Sequence, residues 1–239
     1  MKTTLYTIEC ISNLHVGNGQ DNDGVIDKLI QKDVVSGFPC INSSSLKGAL
    51  REHCEAWNNE HENTKVDIER IFGKKVNGAE NCAPGAYRFL DAMLLSIPRP
   101  TEDQPYVMMT CDAITNELVS RAEALGLSLG QDAEAAAAAV LKLAKVEAAG
   151  KCGFAKFQNY VSDEELPVIA RNRLENGQSK NLWYEQVLPR KSRLAFFVMH
   201  DGEIDGHFNA AVTSTLVQIG ANATVGYGIC KIHRITVNE

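Results

Sequence analysis

Residues 13–51 read NLHVGNGQDNDGVIDKLIQKDVVSGFPCINSSSLKGALR. The stretch joins a glycine-rich loop and an acidic loop to three serines, which directly precede the helically spaced apolar residues Leu46, Leu50 and Cys54. A serine is a favoured N-cap, so we expect a helix over about 44–58. The first turn of a helix presents unpaired N–H groups and the positive end of the helix dipole. Such a turn suits an oxyanion or a phosphate.

Two cations lie on the predicted helix. Lys47 and Arg51 are four residues apart and therefore project from one side of it. Together with Ser43 and Ser44 they predict a phosphate cradle. An ordinary amphipathic helix with a serine cap and two solvated cations is the alternative interpretation of the same residues.

The composition indicates a cytoplasmic protein. The chain has 239 residues, of which 44% are apolar, enough for one large domain or for a small core with insertions. No apolar run approaches 18 residues, and the N-terminal MKTTLYTIEC is too polar for a signal peptide, so we expect no membrane association. The seven cysteines are an odd number without a C-x-x-C pair, which favours reduced thiols over structural zinc.

The charge is unevenly distributed along the chain. A net charge of −6 argues against a protein that binds nucleic acid over its whole surface. Residues 101–150 carry eight acidic and three basic side chains, whereas residues 167–193 carry six basic and two acidic ones. A bound polyanion would therefore lie in a local groove.

Hydrophobic periodicity predicts an α+β protein with a ferredoxin-like (RRM-like) βαββαβ fold and no division into two domains. Asn176-Gly177 indicates a β-hairpin. The predicted strands are 4–11, 86–95, 153–161, 192–199 and 229–237. After the first helix, the predicted helices are 112–125, the alanine-rich 132–147, and a last helix whose apolar positions run from Phe208 to Ile219.

Six blocks in a fixed order resemble the RAMP superfamily, and within it the repeated backbone subunits of Cmr complexes, the type III-B CRISPR effectors. The resemblance runs from about residue 5 to residue 232. It implies a single RAMP domain over 1–239, with a helical insertion at about 100–150 and a thumb-like hairpin at about 166–190. The blocks are LHVGNGQDNDGVID (14–27), IQKDVVSGFPCINSSSLKGALR (30–51), IFG (71–73), GAYRFLDAMLL (85–95), NLWYEQVLPR (181–190) and VQIGANATVGYG (217–228).

The resemblance also implies an antiviral function. Copies of such a subunit stack in a helical filament along a guide CRISPR RNA, beside other Cmr subunits, and cut complementary single-stranded target RNA at regular intervals. One alternative is a structural subunit that binds guide RNA without cutting. Another is a metal-independent RAMP endonuclease that processes guide precursors.

Chemistry is assigned to the acidic loop by the same resemblance. In the family an aspartate follows two apolar residues after the glycine-rich stretch, and Asp27 holds that position here, after Val25 and Ile26. The resemblance implies that Asp27 is catalytic and binds Mg²⁺ or another divalent cation, which needs few protein carboxylates because it keeps several waters. His15 is expected to position RNA or the loop, and a general-base role for it belongs to the metal-independent alternative.

The glycine-rich loop near the C-terminus, GANATVGYG, is either a plain turn or a ligand loop. The resemblance places it beside the first helix on one RNA-binding face. At Ala223 many relatives carry an acid, so a reduced cutting activity is one expectation.

Trp183 and Tyr184 are candidates for stacking on RNA, although we favour a core position for Trp183. The predicted RNA-binding residues are His15, Ser43, Ser44, Lys47, Arg51, Arg171, Arg173, Gly220, Asn222, Thr224, Gly226 and Gly228.

Overall fold

A computed structural model describes residues 1–19, 24–74, 83–102, 105–127, 129, 154–156 and 166–236. The strands are β1 (Lys2–Cys10), β2 (Cys40–Ile41), β3 (Arg88–Phe89), β4 (Ala92–Arg99), β5 (Val107–Thr110), β6 (Phe154–Lys156), β7 (Val168–Glu175), β8 (Gln178–Gln186), β9 (Arg193–His200), β10 (Leu216–Gln218) and β11 (Ile229–Ile235). The α-helices are α1 (Ser43–Glu60), α2 (Ile68–Phe72), α3 (Asp112–Ala124) and α4 (Gly206–Ser214). Short 3₁₀ turns cover Glu62–Thr64 and Ala223–Val225.

The main sheet has the strand order β10-β11-β1-β9-β4-β5-β6, with β2 paired to β4 and β3 paired to β9. Its central strands β11, β1, β9 and β4 are antiparallel neighbours. Helix α1 follows β1 in the chain, and α4 follows β9. In a βαββαβ chain these four are the fourth, first, third and second strands, which is the ferredoxin-like arrangement. The α+β fold prediction is confirmed.

An aromatic cluster fixes α4 against the sheet. The Phe208 side chain on α4 is fully buried, and its ring packs edge-on against those of Tyr6 and Phe89, with centroids 6.5 and 6.0 Å away. Tyr6 on β1 stacks on Phe196 of β9 at 5.2 Å. Below these rings the phenol of Tyr6 donates a hydrogen bond to Asn209 of α4. The core closes on this side because one face of the sheet carries these rings and a helix covers it.

Most local predictions match the observed elements. The strand predicted at 86–95 is divided into β3 and β4 by residues 90–91. The helix predicted at 132–147 lies outside the described residues, as does most of the strand predicted at 153–161. The single-domain boundaries and the extent of the helical insertion stay predictions. None of the described helices is long and apolar enough to cross a membrane.

The predicted extent of the last helix is wrong. Helix α4 ends at Ser214, and β10 begins two residues later. From there the burial alternates, because Leu216 and Gln218 are exposed whereas Val217 and Ile219 are fully buried. A period of two is that of a strand, and β10 pairs with β11 along its edge. This pairing overrides the helical spacing of the apolar residues.

The predicted hairpin is confirmed as the antiparallel pair β7–β8, a two-stranded sheet of its own. Asn176 and Gly177 form its turn, with φ of 50° and 78°. Two consecutive positive φ angles define the tight turn that matches the twist of paired strands. The outer residues of both strands are exposed, and burial begins only at Glu185, where β8 returns to the body of the protein.

Candidate nucleic-acid interface

Three insertions into the ferredoxin-like core meet at one end of the sheet. The 13–17 loop exchanges backbone hydrogen bonds with Leu188, since Leu14 and Leu188 each donate to the other at 2.9 Å. The glycine-rich loop 219–228 packs on the same segment, with the N–H of Ala221 donating to His15 O at 2.9 Å and that of Gly228 to Asn13 O at 2.8 Å. The root of the β7–β8 hairpin and both loops therefore form one surface.

Asp27 is held by the hairpin. It is exposed, and its Oδ2 accepts a hydrogen bond of 2.7 Å from the backbone N–H of Tyr184. The next residue, Lys28, donates its N–H to Tyr184 O at 3.1 Å and accepts from Gln186 N at 2.9 Å. These contacts form a short parallel bridge between the acidic loop and β8. The carboxylate is consequently fixed at the foot of a protruding hairpin.

His15 supports this surface from behind. Only 4% of the residue is exposed, and its Nδ1 lies 2.7 Å from Gln186 O. A carbonyl only accepts, so Nδ1 carries the proton of this bond. The position fits the expectation that His15 positions the loop. Burial makes direct contact with RNA a less suitable role for the ring.

Glu185 belongs to this surface, although no motif in the sequence points to it. Its side chain is 1% exposed, yet four donors surround the carboxylate. Oε1 accepts from Trp183 Nε1 at 2.8 Å and from Lys28 Nζ at 3.4 Å. Oε2 accepts from Asn222 Nδ2 at 2.9 Å and from Arg171 Nη1 at 3.2 Å. We call these five residues the Glu185 cluster.

The cluster keeps Glu185 ionised. Burial alone raises the pKa of a carboxyl group, but the hydrogen bonds from Trp183 and Arg171 and the nearby positive charge outweigh burial. The net result is a pKa of Glu185 below its usual range. The local sequence offers only an acid two residues after a tryptophan, because the other three donors come from distant parts of the chain.

Trp183 does not pack in the core, so the preferred prediction for it is wrong. The residue is half-buried, and Lys28 Nζ and Arg171 Cζ lie 5.7 and 5.8 Å from the centre of its ring. Arg171 also lies 5.6 Å from the ring centre of Tyr227 in the glycine-rich loop. Cations over aromatic rings stabilise this arrangement. A predicted RNA-binding cation, Arg171, is thus engaged within the protein.

The start of α1 differs from the prediction in its cap. Asn42 is the N-cap residue and makes no side-chain capping bond, so no serine caps the helix. Instead, Gln31 bridges the site: its Nε2 donates to Ser45 Oγ at 3.0 Å and to Gly17 O at 3.1 Å, and its Oε1 accepts from Asn42 N at 2.7 Å. Ser43, like its neighbour at 44, is exposed in the first turn. The phosphate cradle stays a prediction, with its backbone N–H groups on an accessible turn.

The two cations of α1 have different environments. Arg51 is 15% exposed, donates from Nε to Glu55 at 2.7 Å and from Nη1 to Gly73 O at 2.9 Å. It therefore joins α1 to the end of α2, and its predicted place in a solvent-facing phosphate cradle is not supported. Its hydrogen bonds stabilise the fold, because both are made to other groups of the protein. Lys47, one turn nearer the N-terminus, is half-buried.

The remaining predicted residues are distributed over the hairpin and the glycine-rich loop. Arg173 is 70% exposed on β7 and pairs with Glu175 at 2.9 Å. Thr224 is exposed, while the amide of Asn222 is directed to Glu185 rather than to solvent. Within the described ranges, no three His, Cys, Asp or Glu side chains are grouped to hold a metal ion.

Comparisons with known proteins agree with this architecture. The family model of the RAMP superfamily matches residues 7–231. The CRISPR system Cmr endoribonuclease Cmr4 of Pyrococcus furiosus is 24% identical, over 97% of this chain and 95% of its own.

Two solved structures have the same fold. The chain in the cryo-EM structure of the Type III-B Cmr-beta complex bound to cognate target RNA aligns with a TM-score of 0.74 and 19% identity, over 98% of this chain and 97% of that one. Oligomeric Cmr4 from Pyrococcus furiosus aligns with a TM-score of 0.64 and 18% identity, over 99% of both chains. The family match spans nearly the whole chain and includes both loops and the hairpin root, and so the chain belongs to the RAMP superfamily.

Proposed function

We propose that this chain is the backbone subunit of a type III-B CRISPR effector that binds guide RNA along a filament and cuts complementary target RNA at regular intervals with Asp27. The name of the Pyrococcus furiosus relative, an endoribonuclease of the Cmr system, supports this assignment. The observation that carries it is the position of Asp27, an exposed carboxylate tied to the foot of a protruding hairpin. Guide RNA, target RNA, further copies of the chain and other Cmr subunits are the proposed partners.

The proposed chemistry is transfer of a phosphoryl group within the target strand. The ribose 2′-oxygen attacks the neighbouring phosphorus, the bond to the 5′-oxygen breaks, and the departing oxygen takes a proton from water, so that the products carry a 2′,3′-cyclic phosphate and a 5′-hydroxyl. Asp27 contributes by accepting or directing the proton of the 2′-hydroxyl. The hairpin contributes by splaying the target so that the attacking oxygen lies in line with the leaving oxygen.

A divalent cation is part of the proposal. Magnesium binds oxygen ligands, keeps several waters and needs only one or two protein carboxylates. The exposed Asp27 carboxylate fits a hydrated ion of this kind, with RNA phosphate oxygens as further ligands. Such an ion would neutralise charge on the phosphate and lower the pKa of the attacking hydroxyl.

The test is cleavage of target RNA by the assembled, guide-loaded complex, with and without EDTA. We expect products at a regular spacing that disappear when EDTA removes the metal and return with excess Mg²⁺. Periodic products that persist in EDTA would contradict the requirement for a metal ion and favour the metal-independent alternative with His15. Tight target binding without any products would instead favour a purely structural subunit.

The two cations of α1 give a further test, because the structure separates their roles. Lys47→Ala is expected to weaken binding of the chain to single-stranded RNA and to reduce the slope of log K against log salt by about 1, without lowering the melting temperature. Arg51→Ala is expected to lower the free energy of unfolding by about 1 kcal/mol through its lost bond to Gly73. Salt titrations and thermal unfolding of both variants decide this. Equal salt slopes for the two variants would contradict the separation.

A further inference from the structure

We propose that Glu185 is a positioning residue that transmits the placement of the β7–β8 hairpin to Asp27. The inference rests on the proposed function, because it concerns the orientation of the Asp27 carboxylate during target cleavage. Glu185 does not need to contact RNA for this role. With a 1% exposed side chain, it acts through the groups that surround it.

The Glu185 cluster joins three separate insertions through one carboxylate. Arg171 and Trp183 belong to the hairpin, Lys28 to the acidic loop, and Asn222 to the glycine-rich loop. Removing the carboxylate would leave cationic and polar donors from all three facing one another. The three insertions therefore depend on the same negative charge for their relative placement.

Asp27 is connected to the Glu185 cluster in two ways, through its neighbour in the chain and through its hydrogen bond to β8. Lys28, which pairs with Glu185, directly follows Asp27, and Tyr184, whose N–H binds Asp27, directly precedes Glu185. The bridge also contains the two backbone hydrogen bonds of Lys28 with Tyr184 and Gln186. A shift of the hairpin root would consequently move the donor that orients Asp27. A displacement of about 1 Å at a reacting group costs roughly 100-fold in rate.

A charge in this position requires an explanation beyond stability. Burying a carboxylate has a large desolvation cost, and apolar residues of similar volume often stabilise a fold equally well. The four donors offset that cost, and they rigidify the junction only if all are satisfied. Such a network suits a place where geometry matters, and this one lies beside Asp27.

The experiment uses the assembled, guide-loaded complex with the isosteric variant Glu185→Gln. The amide still accepts hydrogen bonds through its oxygen, but its NH₂ group faces donors, and the charge is lost. We expect the single-turnover cleavage rate at saturating target to fall by about 10- to 100-fold while the Kd for target stays within about 3-fold. The matched control is Glu117→Gln on α3, which removes a half-exposed carboxylate paired with Arg121 and lies outside the hairpin and both loops; it is expected to cleave like wild type.

A second variant and a spectroscopic readout keep the test decisive. Lys28→Gln alters a side chain that is 55% exposed, so it is expected to fold, and to lower the cleavage rate by about 3- to 10-fold. In a Trp57→Phe background Trp183 is the single tryptophan of the chain, and its emission is expected to shift with Glu185→Gln but not with Asp27→Ala. The cleavage rates of Glu185→Gln and Lys28→Gln are compared with that of Asp27→Ala.

The outcomes separate this inference from the proposed function. Wild-type cleavage by Glu185→Gln and Lys28→Gln, beside an inactive Asp27→Ala complex, would overturn the positioning role and leave the proposed function intact. Equal losses of target affinity and cleavage would also overturn it, since a merely structural role predicts them. Should Glu185→Gln fail to assemble, wild-type cleavage by Lys28→Gln would overturn the inference alone. Full activity of Asp27→Ala would overturn the proposed function, and the inference with it.

Discussion

Replacing Asp27 with alanine is expected to lower the rate of target-RNA cleavage by the assembled complex about 100- to 10,000-fold, the range typical for loss of a group that handles a proton in the transition state. Assembly and target binding should be retained, because the side chain is exposed and its one described hydrogen bond is to Tyr184 N. The measurement is single-turnover cleavage of labelled target, with binding measured separately by titration of the same complexes.

A pair of asparagine variants provides the matched control. Asp27→Asn keeps the size of the side chain and an oxygen for Tyr184 N, so it removes little besides the charge. Asp33→Asn makes the same chemical change six residues later, in a turn where Asp33 Oδ1 accepts from Val35 N and Ser36 N. We expect Asp27→Asn to be as inactive as the alanine variant and Asp33→Asn to cleave normally. Similar losses in both would mean that general acidity of the loop, rather than Asp27, supports cleavage.

The parts of the fold that follow from local sequence were predictable. Asn176-Gly177 specifies a tight turn with two positive φ angles, and alternation over β1 predicts a strand. The expectation that this strand is half-buried is wrong, because β1 lies between β9 and β11 and is buried on both faces from Thr4 to Ile8. The last helix shows the limit of that reasoning. Leu216 and Ile219 continue the helical spacing of α4, yet pairing with β11 makes a strand here, in which Val217 and Ile219 are buried and Leu216 is exposed. A tertiary contact decided between two patterns that the same residues satisfy.

The candidate site was predictable only where a family motif names the residue. Asp27 was identified through the resemblance, and the structure adds its attachment to Tyr184. Glu185 could not be found from sequence, because three of its four donors lie 157, 14 and 37 positions away along the chain, and only Trp183 is a near neighbour. Arg51 was misjudged for the same reason, since the carbonyl that engages it is at Gly73. Spacing along one helix predicts the side from which a cationic side chain projects, but not which groups of the protein face that side.

Replacing Gly220 with alanine is expected to detach the glycine-rich loop from the 13–17 loop. Gly220 has a φ of +81°, and a methyl group on it would collide with the carbonyl oxygen of His15 and lie 3.0 Å from Val16 Cγ2. Withdrawal of that oxygen would stretch the hydrogen bond that it accepts from the N–H of Ala221. We expect the free energy of unfolding to fall by about 2–4 kcal/mol, of which about 1–2 is backbone strain and the remainder steric overlap. RNA affinity should fall about tenfold or more as the loop moves.

Gly226 in the same loop is a matched control for the part of the destabilisation that comes from backbone strain at a positive φ. Its φ is also +81°, but a methyl group on it would meet no other atom within 4 Å. Gly226→Ala should therefore lower the free energy of unfolding by only about 1–2 kcal/mol, which chemical denaturation of the two variants can resolve. Equal destabilisation would show that packing on His15 does not hold the loop. RNA titrations of the folded variants add a second distinction, since a large loss of affinity in Gly226→Ala, without further loss of stability, would mean that RNA occupies the open space beside that glycine. The pair thus separates a glycine required by the fold from one required by a ligand.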